Sequence, residues 1–453
     1  MARAKSPGVY DVIVVGGGVT GAGVARDCAM RGLKTLLLER GRPGAATTLS
    51  SSHLIHGGLR YLLYDRLTTH MTCWDSGHIV RIARPLLAQL PIVWPVYRGH
   101  AHGIETVETL LEAYDAFQPM KEGRPHLRLS AAETLRLFPG LSPEGLLGAV
   151  SFDEWWVDPL ALVRDNLASA RRHGAEIRAD CAVTNLARAE DIVTGVLCGE
   201  EWIESRLVIN AAGPWIDKVA GMAGLSIPLR LQKGTHLVYR KKLTPAGLLL
   251  EAADKVRYVF MIPSAQGTLV GPTDIAAPHD PDQVSTAPSE IKYLLDSLKR
   301  YFPRFPESYD ETIVGARPIL GQGGSEKLLS REFEVFDHER RDGLAGLLTI
   351  GGGKMSDFRL MAETVTDAAC EKLGVAAGCR TQLETLSGEA LGHVPAYPKP
   401  PKWLRRLLRR HPRLREFHAI AHLGATFAAH MARRPFSPPL ADAERFRDHY
   451  CEP

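Results

Sequence analysis

One stretch, "YDVIVVGGGVTGAGVARDCAMRGLKTLLLER" from Tyr10 to Arg40, restricts the possible folds of this chain more than any other. Val12 to Val15 are apolar at every position, as in a strand buried on both faces of a parallel sheet. Gly16, Gly18 and Gly21 then lead into a helical stretch, and Thr35 to Leu38 reads as a second strand closed by Glu39. A Gly-x-Gly-x-x-Gly pattern means little alone. Here it lies between a strand and a helix, and an acid follows eighteen residues after Gly21. In that setting the glycines admit a pyrophosphate to the helix N-terminus and Glu39 accepts from a ribose hydroxyl. A dinucleotide is expected, and the motif does not separate NAD from FAD.

The same grammar recurs twice. "RLVINAAGPWIDKVAG" (Arg206 to Gly221) is an apolar strand that breaks at Ala211, Ala212 and Gly213 before a helical pattern. "GLLTIGGGKMSDFRLMAETVTDAACEKLG" (Gly346 to Gly374) runs from a strand through Gly351, Gly352 and Gly353 into a long amphipathic helix. Three such junctions exceed what one nicotinamide domain requires and suit an extended cofactor held at both ends. A chain of 453 residues has room for two or three domains, and 45% hydrophobic with 23% charged residues is the composition of a globular core. A formal net charge of +4 is too mild to imply nucleic acid. The seven scattered cysteines, with no C-x-x-C, fit a reducing compartment and argue against a disulfide framework, a structural zinc or an iron–sulfur cluster. The N-terminus lacks the zones of a secretory signal, and no apolar run approaches the ~20 residues of a membrane span. The expectation is a cytoplasmic protein, with a peripheral position on the inner face of the cell membrane left open.

"SSHLIHGGLRYL" (Ser51 to Leu62) places an imidazole and a guanidinium around the pair Gly57 and Gly58. Without a Cβ, that backbone can run close against a flat ring. Together with "DVIVVGGGVTGAG", "VINAAGPW", "GARP" (Gly315 to Pro318), "SRE" (Ser330 to Glu332) and the Gly346 segment, it resembles the FAD-dependent glycerol-3-phosphate dehydrogenases, from about Tyr10 to Gly374. The resemblance implies a D-amino-acid-oxidase-type flavoprotein: an α/β, doubly wound FAD-binding domain, a mixed, mainly antiparallel substrate domain, and here a short helical C-terminal tail. Its FAD-binding parts would be 8–90, 151–225 and 331–392, its substrate-domain parts 91–150 and 226–330, and its tail 393–453.

The resemblance also implies a reaction, the oxidation of sn-glycerol 3-phosphate to dihydroxyacetone phosphate, with electrons passed to quinone or another acceptor. Carried over residue by residue, Arg60, Arg317, Arg331 and Lys354 would gather around the substrate phosphate, where an arginine fork can bond two oxygens. His56 and His236, in "QKGTHLVY", are the candidate bases, with Arg317 beside the reacting centre. Ser50, Ser51 and Ser52 would donate to cofactor oxygens, Gly57 and Gly58 would border the ring, and Ala212, Gly213, Gly352, Gly353, Lys354 and Met355 would line the rest of the cofactor. No metal is implied, and homo-oligomerisation is left open.

Two departures bear on the substrate. Ser356, Asp357 and Phe358 stand where the family carries a Thr-Thr-Tyr-like run, and Pro272 stands in "GPTD" where it tends to carry threonine. They leave room for a second reading, oxidation of another 2-hydroxy acid or an amine. A third is a non-catalytic FAD-bearing subunit recruited to a membrane. Elsewhere, "VDPLALVRDNLASARRHGAEI" reads as a proline-started helix stopped at Gly174, and "SAAE" at Ser130 to Glu133 as a capping box. Prolines from His393 onward mark a linker. After it, Trp403, Leu404, Leu407 and Leu408 share a helix face opposite Arg405, Arg406, Arg409 and Arg410, a pattern that suits an anionic membrane surface.

Overall fold

The computed structural model describes residues 9–321, 333–394, 397, 401, 403–404, 407–408 and 411–433. Arg331 and the four arginines Arg405, Arg406, Arg409 and Arg410 lie outside the described residues.

The glycine-terminated strands are neighbours in one sheet. Leu347–Gly352, Glu201–Asn210, Tyr10–Val15, Thr35–Leu38 and Glu176–Arg178 lie side by side in that order, all parallel, with Phe333–Asp337 antiparallel at one edge. Alternate residues of the first strand enter different cores. Val12 and Val14 pack with the helices Val19–Met30, Pro159–Arg172 and Phe358–Leu373, while Ile13 and Val15 pack with Leu36, Val193, Val196 and Ile203 on the opposite face. Both faces are dry, which is why the run carries no polar residue; each fully buried Val or Ile contributes about 1.5–3 kcal/mol. Parallel register brings the three strand-to-glycine turns to one edge of the sheet.

Local signals place the helices. Asp158 caps Pro159–Arg172 by accepting from the amides of Leu160 and Ala161, both at 3.0 Å. The expected stop falls at Gly174, with φ +95°. Ser130 and Glu133 form the reciprocal capping box ahead of Ala131–Leu137.

The second sheet runs Ile275–Ala276, Leu229–Tyr239, Gly267–Gly271, Tyr258–Ser264, Gly247–Glu251, Leu87–Tyr97, Leu146–Val157, Leu54–Ile55. Glu311–Leu320 adds to Leu229–Tyr239 and Leu127–Leu129 to Leu146–Val157. Its pairings are antiparallel except that of Gly247–Glu251 with Leu87–Tyr97. Leu54 and Ile55, from the segment after the nucleotide motif, pair with Trp156 and Trp155 of this second sheet. Residue 150 falls inside one continuous strand.

The cysteine expectation needs correcting. Cys181 and Cys198 are paired across the hairpin of Val183–Ala189 and Ile192–Cys198, with Cα atoms 5.9 Å apart. Their separation of 17 residues carries no signal of pairing; the hairpin register creates it. No described helix is long and apolar enough to cross a membrane. A terminal helix, Pro412–Arg433, docks on Ile104–Asp115, where His430 contacts Glu112 at 3.0 Å and Glu105 at 3.2 Å.

Candidate active site

The nucleotide end is compact. Glu39 accepts from the amide of Gly17 at 2.6 Å and of Gly41 at 3.0 Å, so the acid that ends the second strand faces the first glycine turn. The threonine hydroxyl of Thr48 accepts from the amide of Val19, the first residue of the helix, at 3.1 Å. A Cβ at Gly21 would stand 1.9 Å from the Gly16 carbonyl oxygen, so this turn closes only around glycine. The turn at Ala211, Ala212 and Gly213 abuts it, the Ala211 carbonyl approaching Gly16. Glycine turns on adjacent parallel strands, a helix N-terminus and a carboxylate at the second strand's end form a cradle that fits the pyrophosphate and ribose of a dinucleotide.

One continuous segment, residues 47–61, connects this cradle to everything else. The hydroxyl of Thr47 donates to the Ala316 carbonyl at 2.7 Å, tying the segment to the strand that carries Arg317. The hydroxyl of Ser52 lies 3.1 Å from His236 Nε2. The amide of His56 donates to the Ser356 hydroxyl at 2.8 Å, and the Lys354 ammonium sits 4.9 Å from the centre of the Tyr61 ring. Sequence positions near 236, 316 and 355 therefore all meet one continuous segment, residues 47–61. Of the residues expected there, His56, Arg60, Gly57, Gly58, His236, Arg317, Lys354, Met355, Gly352 and Gly353 are all borne by these converging segments.

The charges are not equivalent. One terminal nitrogen of Arg317 donates to the carbonyls of Thr273 at 2.8 Å and Lys233 at 3.0 Å, and meets Asp274 at 3.1 Å. Lys354 donates to the Thr72 hydroxyl at 2.7 Å and pairs with Asp357 at 2.5 Å, both partners of the pair being nearly dry. The other oxygen of Asp357 is buried and has no hydrogen-bond partner among the described residues. Arg60, by contrast, is exposed and makes no hydrogen bond or ion pair with any described residue.

The two histidines also differ. His236 is buried on the strand Leu229–Tyr239, and its Nδ1 has no partner among the described residues. Burial first, then the nearby His53 and the positive Arg317, push its pKa down to about 3, so its ring is neutral at ordinary pH. His56 is half-buried, on the loop that carries Arg60. Of the serines, Ser51 accepts from the His53 amide at 3.2 Å, Ser52 is engaged by His236, and Ser50 packs against Gly315.

Sequence reasoning missed what lies beneath the loop. Glu154, Lys121, Tyr114 and Cys73 are all buried and surround Gly57. A signal was available in "VSFDEWWV", where two acids interrupt a run otherwise built for a core.

Residues 11–367 match the family described as FAD dependent oxidoreductase. The chain belongs to that family. The flavoprotein is 31% identical over 404 residues to an aerobic glycerol-3-phosphate dehydrogenase from Staphylococcus haemolyticus, an alignment that takes in 84% of this chain and 72% of the relative. In structure it is similar to a glycerol-3-phosphate dehydrogenase from Bacillus halodurans complexed with FAD, at a TM-score of 0.67 and 23% identity over 89% of this chain and 72% of that one. It is also similar to an FAD-bound L-alpha-glycerophosphate oxidase from Mycoplasma pneumoniae, at 0.63 and 17% over 83% and 97% of the two chains. Glycine oxidase from Bacillus cereus shares the fold at 0.60 and 20% over 81% and 95%. These findings bear out the flavoprotein fold expected from the sequence and make FAD the cofactor; the cradle of Gly16, Gly18, Gly21 and Glu39 fits its pyrophosphate and adenosine ribose.

Proposed function

We propose that this enzyme oxidises sn-glycerol 3-phosphate at C2, giving dihydroxyacetone phosphate and passing electrons to quinone or another acceptor. Bound FAD would supply the two-electron hydride acceptor. The observation that supports the reading is the run of contacts along residues 47–61, which links the strand bearing Arg317, His236 and the turn bearing Lys354 to the segment that carries Arg60. Relatives named for glycerol 3-phosphate supply the substrate. In this reading Arg60 takes the phosphate directly, and Arg317 and Lys354 add charge while remaining tied to Asp274 and Asp357. Arg331 is assigned to the same phosphate by resemblance alone.

Removing the C2 hydroxyl proton requires a base whose proton affinity matches the working pH. With its pKa near 3, His236 is a poor acceptor in the free enzyme and serves as a neutral hydrogen-bonding partner fixed by Ser52. His56 takes the proton. The pH dependence of kcat/KM tests this assignment: His56→Gln should abolish the acid limb, and His236→Gln should preserve it. The opposite result reverses the two roles.

The whole reading is tested by following the visible flavin spectrum anaerobically on adding sn-glycerol 3-phosphate. Rapid bleaching supports it. A second substrate class is favoured by the pairing of Lys354 with Asp357, which lowers the net charge available to a dianion. Bleaching by a 2-hydroxy acid or an amino acid, and not by glycerol 3-phosphate, would select that class.

Delivery of electrons to quinone would be served by a peripheral position on an anionic bilayer. Leu414, Phe417, Ile420, Phe427 and Met431 are exposed on the terminal helix, Phe417 to 68%, and the sequence around its start is rich in arginine. Co-sedimentation with anionic but not zwitterionic vesicles is the expected result, and loss of it in Phe417→Glu would locate the contact.

A further inference from the structure

We propose that Glu154, buried beneath the 54–60 loop, is a positioning residue that fixes the main chain from His56 to Gly58 and thereby sets where the Arg60 guanidinium stands. The consequence for specificity rests on the reading of Arg60 as the phosphate-binding cation.

Glu154 lies on Leu146–Val157 and is 2% exposed. Its Oε2 accepts from the Gly57 amide at 3.1 Å and from the Lys121 ammonium at 2.5 Å, and its Oε1 accepts from the Tyr114 hydroxyl at 2.8 Å. The Lys121 ammonium, itself fully enclosed, also donates to the Asp153 carbonyl at 2.5 Å. From the other side, the Cys73 thiol donates to the Gly57 carbonyl at 3.5 Å and the Thr69 hydroxyl to the Gly58 carbonyl at 3.3 Å. The His56 carbonyl accepts from Ser76 at 3.1 Å, and its amide donates to Ser356 at 2.8 Å. The loop has left its two-residue pairing with the second sheet at Ile55. Beyond that point, side chains from one strand and several helical segments replace the sheet ladder, peptide group by peptide group.

A buried ion pair is a poor source of stability beside apolar residues of the same volume, because both charges must leave water. What Glu154 and Lys121 do supply is direction: a carboxylate with all three donors satisfied admits one placement of the Gly57 amide. Gly57 has no latitude either, since a Cβ there would stand 2.1 Å from the Tyr114 hydroxyl oxygen. Arg60 follows three residues later on a short 3-10 turn, Leu59–Leu63, whose first residues inherit that placement.

The test compares Glu154→Gln, Tyr114→Phe and Cys73→Ala with wild-type holoenzyme. Glu154→Gln keeps the shape but leaves Lys121 without its countercharge; if it does not fold, the two milder variants still decide. Amide hydrogen exchange over residues 54–60 should rise about tenfold, reading the clamp without any substrate. The preference in kcat/KM for glycerol 3-phosphate over glycerol should also fall about tenfold, through a higher KM for the phosphate ester. Unchanged exchange overturns the proposal. So does raised exchange with both substrates losing rate equally, which is the mark of a structural role only. If wild-type flavin is not reduced by glycerol 3-phosphate, the functional reading fails on its own, and the exchange measurement still decides the clamp.

Discussion

The 54–60 loop and the 351–357 turn are joined by the His56–Ser356 hydrogen bond, and they carry their cations in opposite ways. The loop is held from beneath through its peptide groups, and its Arg60 is exposed and meets no partner among the described residues. The turn carries its own acid two residues beyond Met355, and Lys354 is tied to it within a nearly dry pair. In the sequence Arg60 and Lys354 look like equal contributors to a phosphate site. The structure gives them different surroundings: a cation already paired with a carboxylate has little charge left to attract a dianion, whereas an exposed one with no such pair keeps its charge but is screened by solvent until a ligand covers it.

Arg60→Gln against Lys354→Gln gives the largest expected contrast. If Arg60 takes the phosphate as proposed, losing that charge-assisted contact should lower kcat/KM for glycerol 3-phosphate by about 100- to 1000-fold, in the range of truncated interfacial charge pairs. Lys354→Gln should cost about tenfold, the worth of one hydrogen bond, because the charge it removes is already offset by Asp357. Equal losses in steady-state kinetics would break the distinction between loop and turn.

A steric test addresses how firmly the loop is built. Alanine at Gly57 would drive its Cβ to 2.1 Å from the Tyr114 hydroxyl oxygen and 2.4 Å from Cys73 Sγ, in a space filled by rigid neighbours. Overpacking of that kind destabilises by about 1–3 kcal/mol, measurable as a lower Tm of the holoenzyme. A Tm unchanged by Gly57→Ala would show that the clamp yields easily.

The neutral ring of His236 makes a prediction about acid stability. Its folded pKa of about 3 lies below the ordinary histidine value, so an unfolded chain binds a proton that the folded chain refuses. The stability it protects is complete above about pH 6.5 and falls as the pH drops toward 3, by about 1.4 kcal/mol per unit. Denaturant unfolding at pH 7, 6 and 5 should show a steeper decline in wild type than in His236→Gln.

Much of the fold was legible because its signals are local. A run of consecutive apolar residues can be dry on both faces only inside a parallel sheet, and Val12 to Val15 announce that directly. Asp158 before Pro159 and the Ser130–Glu133 box specify helix starts with residues that touch each other. The site was legible only as a set of fragments. Nothing in the spacing places Thr47 beside Ala316 or Ser52 beside His236, because those contacts follow from how two sheets meet. The Cys181–Cys198 pairing is invisible for a similar reason, since it depends on a hairpin register. Glu154 was overlooked because a buried acid reads from sequence as an interruption of a strand, and only its three donors reveal its work.

The smallest effect sharpens the comparison most, because it should turn the turn into something closer to the loop. Asp357→Asn removes the carboxylate that neutralises Lys354 while keeping the side chain's shape. With its charge released, Lys354 should strengthen binding of the phosphate, lowering KM for glycerol 3-phosphate by about tenfold, or about 1.4 kcal/mol. A freed cation beside the helix start should also favour the electron-rich cofactor, raising the two-electron flavin potential by about 30 mV for the same energy. Potentiometry reads this without substrate. If neither KM nor potential moves, the Lys354–Asp357 pair does not set the charge of the site, and the contrast with Arg60 would then come from the exposure of the two cations alone.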